Sequence, residues 1–283
     1  MGEKIKKIAD SISPIIFIDL IFELRKNVVR IIIYYVISIG SLFTFFLIQK
    51  NYHNDARGVF FDALIIIACA SSALVGGSYA AGSIVREKEK KTLTLLRMSG
   101  ATSFEIVYGK IASAAVFITM LTSPYLLFSL ILTFATDMNF LRLAGGIFMW
   151  AGFSAFYLSS GILTSILFKK NASAYSFFYF FLFAIHFLIY LIDNLFEFKY
   201  YYSYHINSAK FFGSFSPFEV WHNFLATHKF YTMPSYHTII ENTSIIEGIA
   251  DYIVITAIYI LISLLITLFA SNIFEKYLRW RQE

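Results

Sequence analysis

Arg86-Glu87-Lys88-Glu89-Lys90-Lys91-Thr92-Leu93-Thr94-Leu95-Leu96-Arg97-Met98-Ser99-Gly100 is the stretch on which the fold turns. It is densely charged, yet it stands between two long runs, 63–84 and 111–134, that contain no Asp, Glu, Lys or Arg. Lys and Glu interleave with a Leu-rich stripe, so the segment has a water-facing side and a docking side. The pattern predicts a helix over 86–98. Ser99-Gly100 ends it, with Gly100 in the left-handed C-terminal position. Thr102 starts the next helix, and Glu105 three residues on completes a capping box. The piece therefore reads as helix, tight turn, helix, the second running on into the apolar run that follows.

Working outward, the 283-residue chain is 58% hydrophobic, 19% aromatic and only 14% charged. Soluble domains carry about a quarter charged residues. Six runs free of Asp, Glu, Lys and Arg are long enough for a bilayer, at 31–48, 63–84, 111–134, 143–168, 172–191 and 252–273. A helical crossing takes ~20 residues. Six spans leave little chain for a second domain, so residues 1–283 form one all-α membrane domain. No cleavable signal peptide is expected, because the first run is long and begins nearly thirty residues in.

Lys and Arg placement sets the topology. With the N-terminus inside, the internal segments hold 17 of the 23 basic residues and the external segments hold six. Both termini are thus expected in the cytoplasm. The net charge of +5 is a topology signal and excludes no membrane role, whereas a nucleic-acid reading of it has no support. The single cysteine, Cys69, lies mid-span, so no internal disulfide can form.

Residues 14–26 predict an interfacial helix on the inner surface. Ser13 is a good N-cap, Pro14 suits the first helical position, and Asp19, Glu23 and Lys26 form one polar stripe. The second span carries two rows of small residues, Ala68, Ser72, Gly76, Ala80 and Cys69, Ala73, Gly77, Ala81. Such a ridge lets other helices approach closely. The fourth and fifth spans are joined by little more than Lys169-Lys170-Asn171, which makes a tight antiparallel hairpin. The fifth span is rich in Phe and Tyr, among them Phe178 and Phe181, and holds His186. For His186 two readings stand: a functional intramembrane group, or a neutral imidazole bonded to a neighbouring helix. The segment 192–248 is a large external insertion with fifteen aromatic residues, too many for disorder. Within it Ser216-Pro217-Phe218-Glu219 predicts a short helix over 217–226.

Several chemistries are missing from the sequence. Gly109-Lys110 does not make a phosphate-binding loop, because the preceding glycine spacing is wrong and no Ser or Thr follows. No nucleophile elbow and no zinc-protease motif occurs. His205, His222, His228 and His237 match no metal-finger spacing. The chain is not expected to be an enzyme, to bind a metal or to carry a cofactor of its own.

Glu87-x-Glu89-x-x-Thr92-Leu93-x-x-Leu96, a glycine turn, then Glu105-Ile106-Val107-x-Gly109-Lys110, resembles the signature of type-2 ABC exporter permeases, the membrane subunits of ATP-binding-cassette exporters. The layout is similar over essentially the whole chain: an elbow helix, six spans, and an external insertion between the fifth and sixth. The family usually has Gly or another small residue just before the Thr, where this chain has Lys91. The resemblance implies that 86–98 is a coupling helix. Glu87, Glu89, Thr92, Leu93, Leu96, Arg97 and Gly100 would then meet a separate cytoplasmic ATPase, which holds the ATP and Mg. A second permease, the same or different, would complete the transporter in a bacterial inner or plasma membrane. The second and fifth spans would line a cavity for an apolar or amphipathic substrate, with Ser72, Gly76, Phe178, Phe181 and His186 as candidates. The competing readings are a non-transporting scaffold or sensor docked to the same kind of ATPase, and, less favoured, an intramembrane lipid enzyme.

Overall fold

Apolar sequence of this density leaves the backbone no partner but itself, and the helix is the element that satisfies every interior amide within one segment. The computed structural model describes residue 35 and residues 55–93, 98, 100–135, 140–200 and 237–280, and no β-strand occurs among the described residues. α1 (Asp55–Ser71), a π-helical turn (Ser72–Gly76) and α2 (Gly77–Glu89) follow without a break. α3 is Ser103–Ala135, α4 Phe140–Leu167, α5 Asn171–Tyr200 and α6 His237–Trp280. Among the described residues five helical stretches are long and apolar enough to cross a membrane: one within α1–α2, and one each in α3, α4, α5 and α6.

These five match the second to sixth expected spans. The first, 31–48, lies outside the described residues except for Tyr35, which is helical. The expected helices at 14–26 and 217–226 lie outside them altogether. α5 runs on to Tyr200 and α6 begins at His237, so both ends of the 192–248 segment are continuations of spans.

The bundle is apolar outside as well as inside. Phe134 is 71% and Phe180 67% exposed, and Leu127, Phe148, Leu261 and Phe269 also face outward. Exposed apolar surface this extensive marks a protein whose surroundings are not water. Hydroxyls inside the helices are served locally: Thr122 donates to the Ile118 carbonyl at 2.8 Å, Thr133 to Ser129 at 2.7 Å and Ser271 to Thr267 at 3.0 Å.

α4 is the centre. It packs on α2 and the π turn along the small-residue rows, and on α6 through a hydroxyl contact in which Ser159 Oγ lies 2.6 Å from Ser263 Oγ. All eight residues of the two rows are buried. A four-residue repeat drifts about 40° per step around an α-helix of 3.6 residues per turn. The π turn, with its Gly77 amide bonded to the Ser72 carbonyl, accommodates an extra residue and takes back part of that drift. Both rows consequently stay on the inner side along α1 and α2. The closest approach is at Gly161 of α4: a β-carbon there would overlap the Gly77 carbonyl oxygen and lie 2.9 Å from Ala80 Cβ.

Pro124 sits inside α3 and cannot donate to the carbonyl four residues back. That carbonyl, on Met120, instead accepts from the Tyr35 hydroxyl at 3.0 Å and from Ser123 Oγ at 2.8 Å.

Candidate functional site

The charged segment does not form a single helix over 86–98. α2 ends at Glu89, and the chain turns at Lys90 and Lys91. Thr92 N–H donates to the Glu87 carbonyl at 3.0 Å and Lys91 N–H to the Lys88 carbonyl at 3.3 Å. These are the paired bonds of a Schellman cap, with Lys91 at φ +58° in the left-handed position that glycine favours. The expected helix therefore breaks at Lys90 and Lys91. Leu93 and Met98 are again helical, and Gly100, at φ +78°, ends the piece as the sequence predicts. The capping box forms as read: Thr102 N–H donates to Glu105 Oε2 at 2.8 Å, and Glu105 N–H to Thr102 Oγ1 at 3.3 Å. Leu96 and Arg97 lie outside the described residues.

The two glutamates have different partners, as their spacing requires, but both partners belong to this chain. Glu87 accepts from the Thr92 hydroxyl through Oε2, and its Oε1 lies 3.5 Å from Lys110 Nζ. The Lys110 side chain is 4% exposed and that of Glu87 24%, so the lysine end of the pair is buried and the carboxylate end is partly open to water. Glu89 Oε1 accepts the Asn171 backbone N–H at 2.8 Å, and Oε2 the Asn171 side-chain amide at 2.5 Å. It therefore caps the start of α5. Glu87 thus braces a lysine of its own segment, while Glu89 holds Asn171 from an exposed position.

Leu93 is a second correction. Expected on the docking face, it is only 3% exposed and belongs to an apolar cluster with Ala80, Ile84, Ile106, Val107 and Phe274. An amphipathic stripe shows that one side is buried. It does not show whether the burial is within the chain or against another. Thr92 likewise serves the cap through its hydroxyl bond to Glu87.

What the segment does present is Met98, 82% exposed. Past the glycine turn in sequence, Phe104 and Tyr108 stack at 5.9 Å on the outer side of α3, both exposed. Phe104 and Thr102 also border an open groove of about 460 Å³, closed on the other side by Asn272, Glu275 and Leu278 of α6. The leucine stripe does not single out Met98; its signal in the sequence is its position directly before Ser99-Gly100.

Lys88 was also missed. It is buried, and its ammonium donates to the carbonyls of Ser165 at 3.0 Å, Ile166 at 2.5 Å and Phe168 at 3.0 Å. It also lies 4.7 Å from the centre of the Tyr277 ring of α6. Nothing in a run of alternating Lys and Glu singles this lysine out.

The proposed cavity residues are placed differently from the expectation. Ser72 is fully buried, and its hydroxyl donates to the Ala68 carbonyl at 3.0 Å while accepting from Trp150 Nε1 and Ser154 Oγ, each at 2.9 Å. One donor and both lone pairs are thus occupied. A β-carbon at Gly76 would meet Ile118 Cγ1 at 3.2 Å and Leu158 Cδ2 at 3.3 Å. Phe178 is fully buried, its ring filling the space that a Gly77 side chain would need. These three belong to interior packing and line no open surface. Phe181 is half-buried against the core. His186 is half-buried too, with Nε2 2.8 Å from the Tyr157 hydroxyl of α4. Among the described residues no group of His, Cys, Asp and Glu could hold a metal ion.

No protein-family model and no characterised protein matches this chain. Among the described residues the fold defines the class, a helical membrane protein with five helical stretches long and apolar enough to span a bilayer. Its charged loop is tied back to the ends of its own helices and leaves Met98 outside.

Proposed function

We propose that this chain is the membrane-spanning permease of an ATP-driven exporter, worked by a separate cytoplasmic ATPase that docks on the 90–108 face. The observation that carries the reading is the contrast within the charged loop: Leu93 is sealed into the bundle while Met98 stands 82% exposed. A loop meant only to connect two spans gains nothing from an anchored base and an apolar tip. A loop on which a partner pushes needs both. Methionine suits such a contact, being unbranched and adaptable in packing.

ATP and Mg belong to the ATPase in this reading. The chain itself carries no phosphate-cradling sequence. Both termini and the loop face the cytoplasm of a bacterial inner or plasma membrane, and a second permease, identical or related, completes the path. Ser72, Gly76 and Phe178 are packed within one copy, so an apolar or amphipathic substrate would pass between copies. The outward aromatic face of α5, with Phe180, Phe183 and Phe187, supports that placement.

The same packed interior favours the runner-up, a non-transporting scaffold or sensor docked to the same ATPase. Purification of the native complex tests the first step: an ATPase subunit should come with the chain, and its loss in Met98→Asp is expected. Reconstitution in liposomes then separates the two readings. Substrate-stimulated ATP hydrolysis with outward movement supports the exporter, and hydrolysis without transport supports the scaffold.

A further inference from the structure

We infer that Lys88 and Glu89 form a charge-matched clamp that makes the α4–α5 hairpin move with the loop beginning at Lys90. A helix leaves its last carbonyls and its first amides without intrahelical partners. α4 ends at Leu167 and α5 begins at Asn171, so both kinds of orphan lie side by side. Lys88 places a cation on the carbonyl end of α4, with hydrogen bonds to Ser165, Ile166 and Phe168 at 2.5–3.0 Å. Glu89 places an anion on the amide end of α5, with bonds to Asn171 at 2.8 and 2.5 Å. Each charge has the sign that its helix end favours. Two consecutive residues of α2 thereby hold both halves of the hairpin.

Three further observations make this a device for transmitting motion. The Schellman bonds join Lys91 and Thr92 directly to the Lys88 and Glu87 carbonyls, so the loop cannot shift without shifting the clamp. Ser165 Oγ accepts from the Ile84 and Val85 amides at 2.8 and 2.9 Å, fixing α4 to α2 just before the clamp. The hairpin is also bound to itself by the Tyr157–His186 bond. The clamp stands on geometry alone; only the force that moves it rests on the docking reading above.

Two measurements decide it. In a Cys69→Ala background, nitroxides at Met98→Cys and Lys169→Cys report the separation of loop and hairpin in the purified chain. The distance distribution should be narrow, and it should broaden with Lys88→Met or Glu89→Gln but not with Lys88→Arg. An unchanged width in both Lys88→Met and Glu89→Gln overturns the clamp, whatever the partner. In the complex with its ATPase, Lys88→Met should retain bound, hydrolysing ATPase while transport per ATP falls. Lys88→Arg should restore it. Unchanged transport per ATP in a variant whose distribution has broadened also overturns the proposal. If no ATPase binds the unmodified chain, the docking reading fails and the nitroxide distances alone decide the clamp.

Discussion

The Tyr35 hydroxyl lies 3.0 Å from the Met120 carbonyl oxygen, the acceptor that Pro124 leaves without its helical amide. Ser123 Oγ shares that carbonyl at 2.8 Å and lies 2.6 Å from the Tyr35 hydroxyl. A proline inside a membrane helix is tolerated when neighbouring helices and Ser or Thr side chains serve the freed carbonyl. Tyr35→Phe should therefore cost about 1 kcal/mol, seen as a fall of about 2–4 °C in melting temperature in detergent. Ser123→Ala alone should cost less than that, because Tyr35 remains. The double variant should cost more than the two singles added, since the carbonyl then has no partner. Strict additivity would show that the two hydroxyls do not share one acceptor.

Lys91 adopts φ +58° where the Schellman cap calls for a left-handed residue. Side chains with a β-carbon pay about 1–2 kcal/mol in that conformation, and glycine does not. Lys91→Gly is expected to raise the melting temperature, less a few tenths of a kcal/mol for the looser unfolded chain. Lys91→Val should lower it. Were Lys91→Gly to destabilise the protein, the cap would not exist as described, and the break in the expected helix would lose its physical reason.

The contact between Gly161 and Gly77 supplies a third test. At Gly161 a new β-carbon meets backbone, including Ala81 N at 3.1 Å, whereas at Gly76 it meets only the side chains of Ile118 and Leu158. Backbone cannot give way as a side chain can. Gly161→Ala should cost about 1–3 kcal/mol through separation of α2 and α4. Gly76→Ala should cost clearly less. Thermal melts of the two variants in the same detergent compare them, and an inverted order would mean that α2 and α4 do not cross at Gly77 and Gly161.

Legibility followed the range of the interactions. The Thr102–Glu105 capping box and the left-handed Gly100 are local, and the residues themselves announce them. The small-residue rows announced a tight helix contact, and Gly161 over Gly77 provides it. The π turn that keeps the rows facing inward leaves no sequence signal. Lys91 was opaque because residues other than glycine rarely adopt positive φ. The partners of Lys88 and Glu89 lie some eighty positions away at helix ends whose exact limits the sequence does not give. Charge alternation there looked like a solvated face. Three-dimensional adjacency turned two of those charges into caps.

The last prediction concerns which side of the loop a partner touches. A reading from the sequence alone expects Leu93→Asp, Glu87→Lys and Glu89→Lys to leave the chain inserted in the membrane but to weaken ATPase association or uncouple hydrolysis from transport. The structure divides these variants. Leu93 is buried among Ile84, Ile106 and Phe274, so Leu93→Asp leaves a charge unpaired in the core and should destabilise the chain itself by about 3 kcal/mol or more. Glu87→Lys places a second cation beside Lys110 and should also lower the melting temperature. Met98, in contrast, is 82% exposed, and Met98→Asp should leave the melting temperature within about 1 °C while reducing ATPase recovery in a pull-down. The exposed, stacked Phe104 and Tyr108 should behave as Met98 does, with Phe104→Ala and Tyr108→Ala weakening recovery without unfolding. Glu219→Lys, in the segment expected on the other side of the membrane, serves as the control and should leave the ATPase bound. Melting curves and pull-downs on the same preparations separate the two groups. If Met98→Asp and Phe104→Ala kept wild-type recovery and export, the exposed face would not be the docking surface, and the permease reading would lose the observation it rests on.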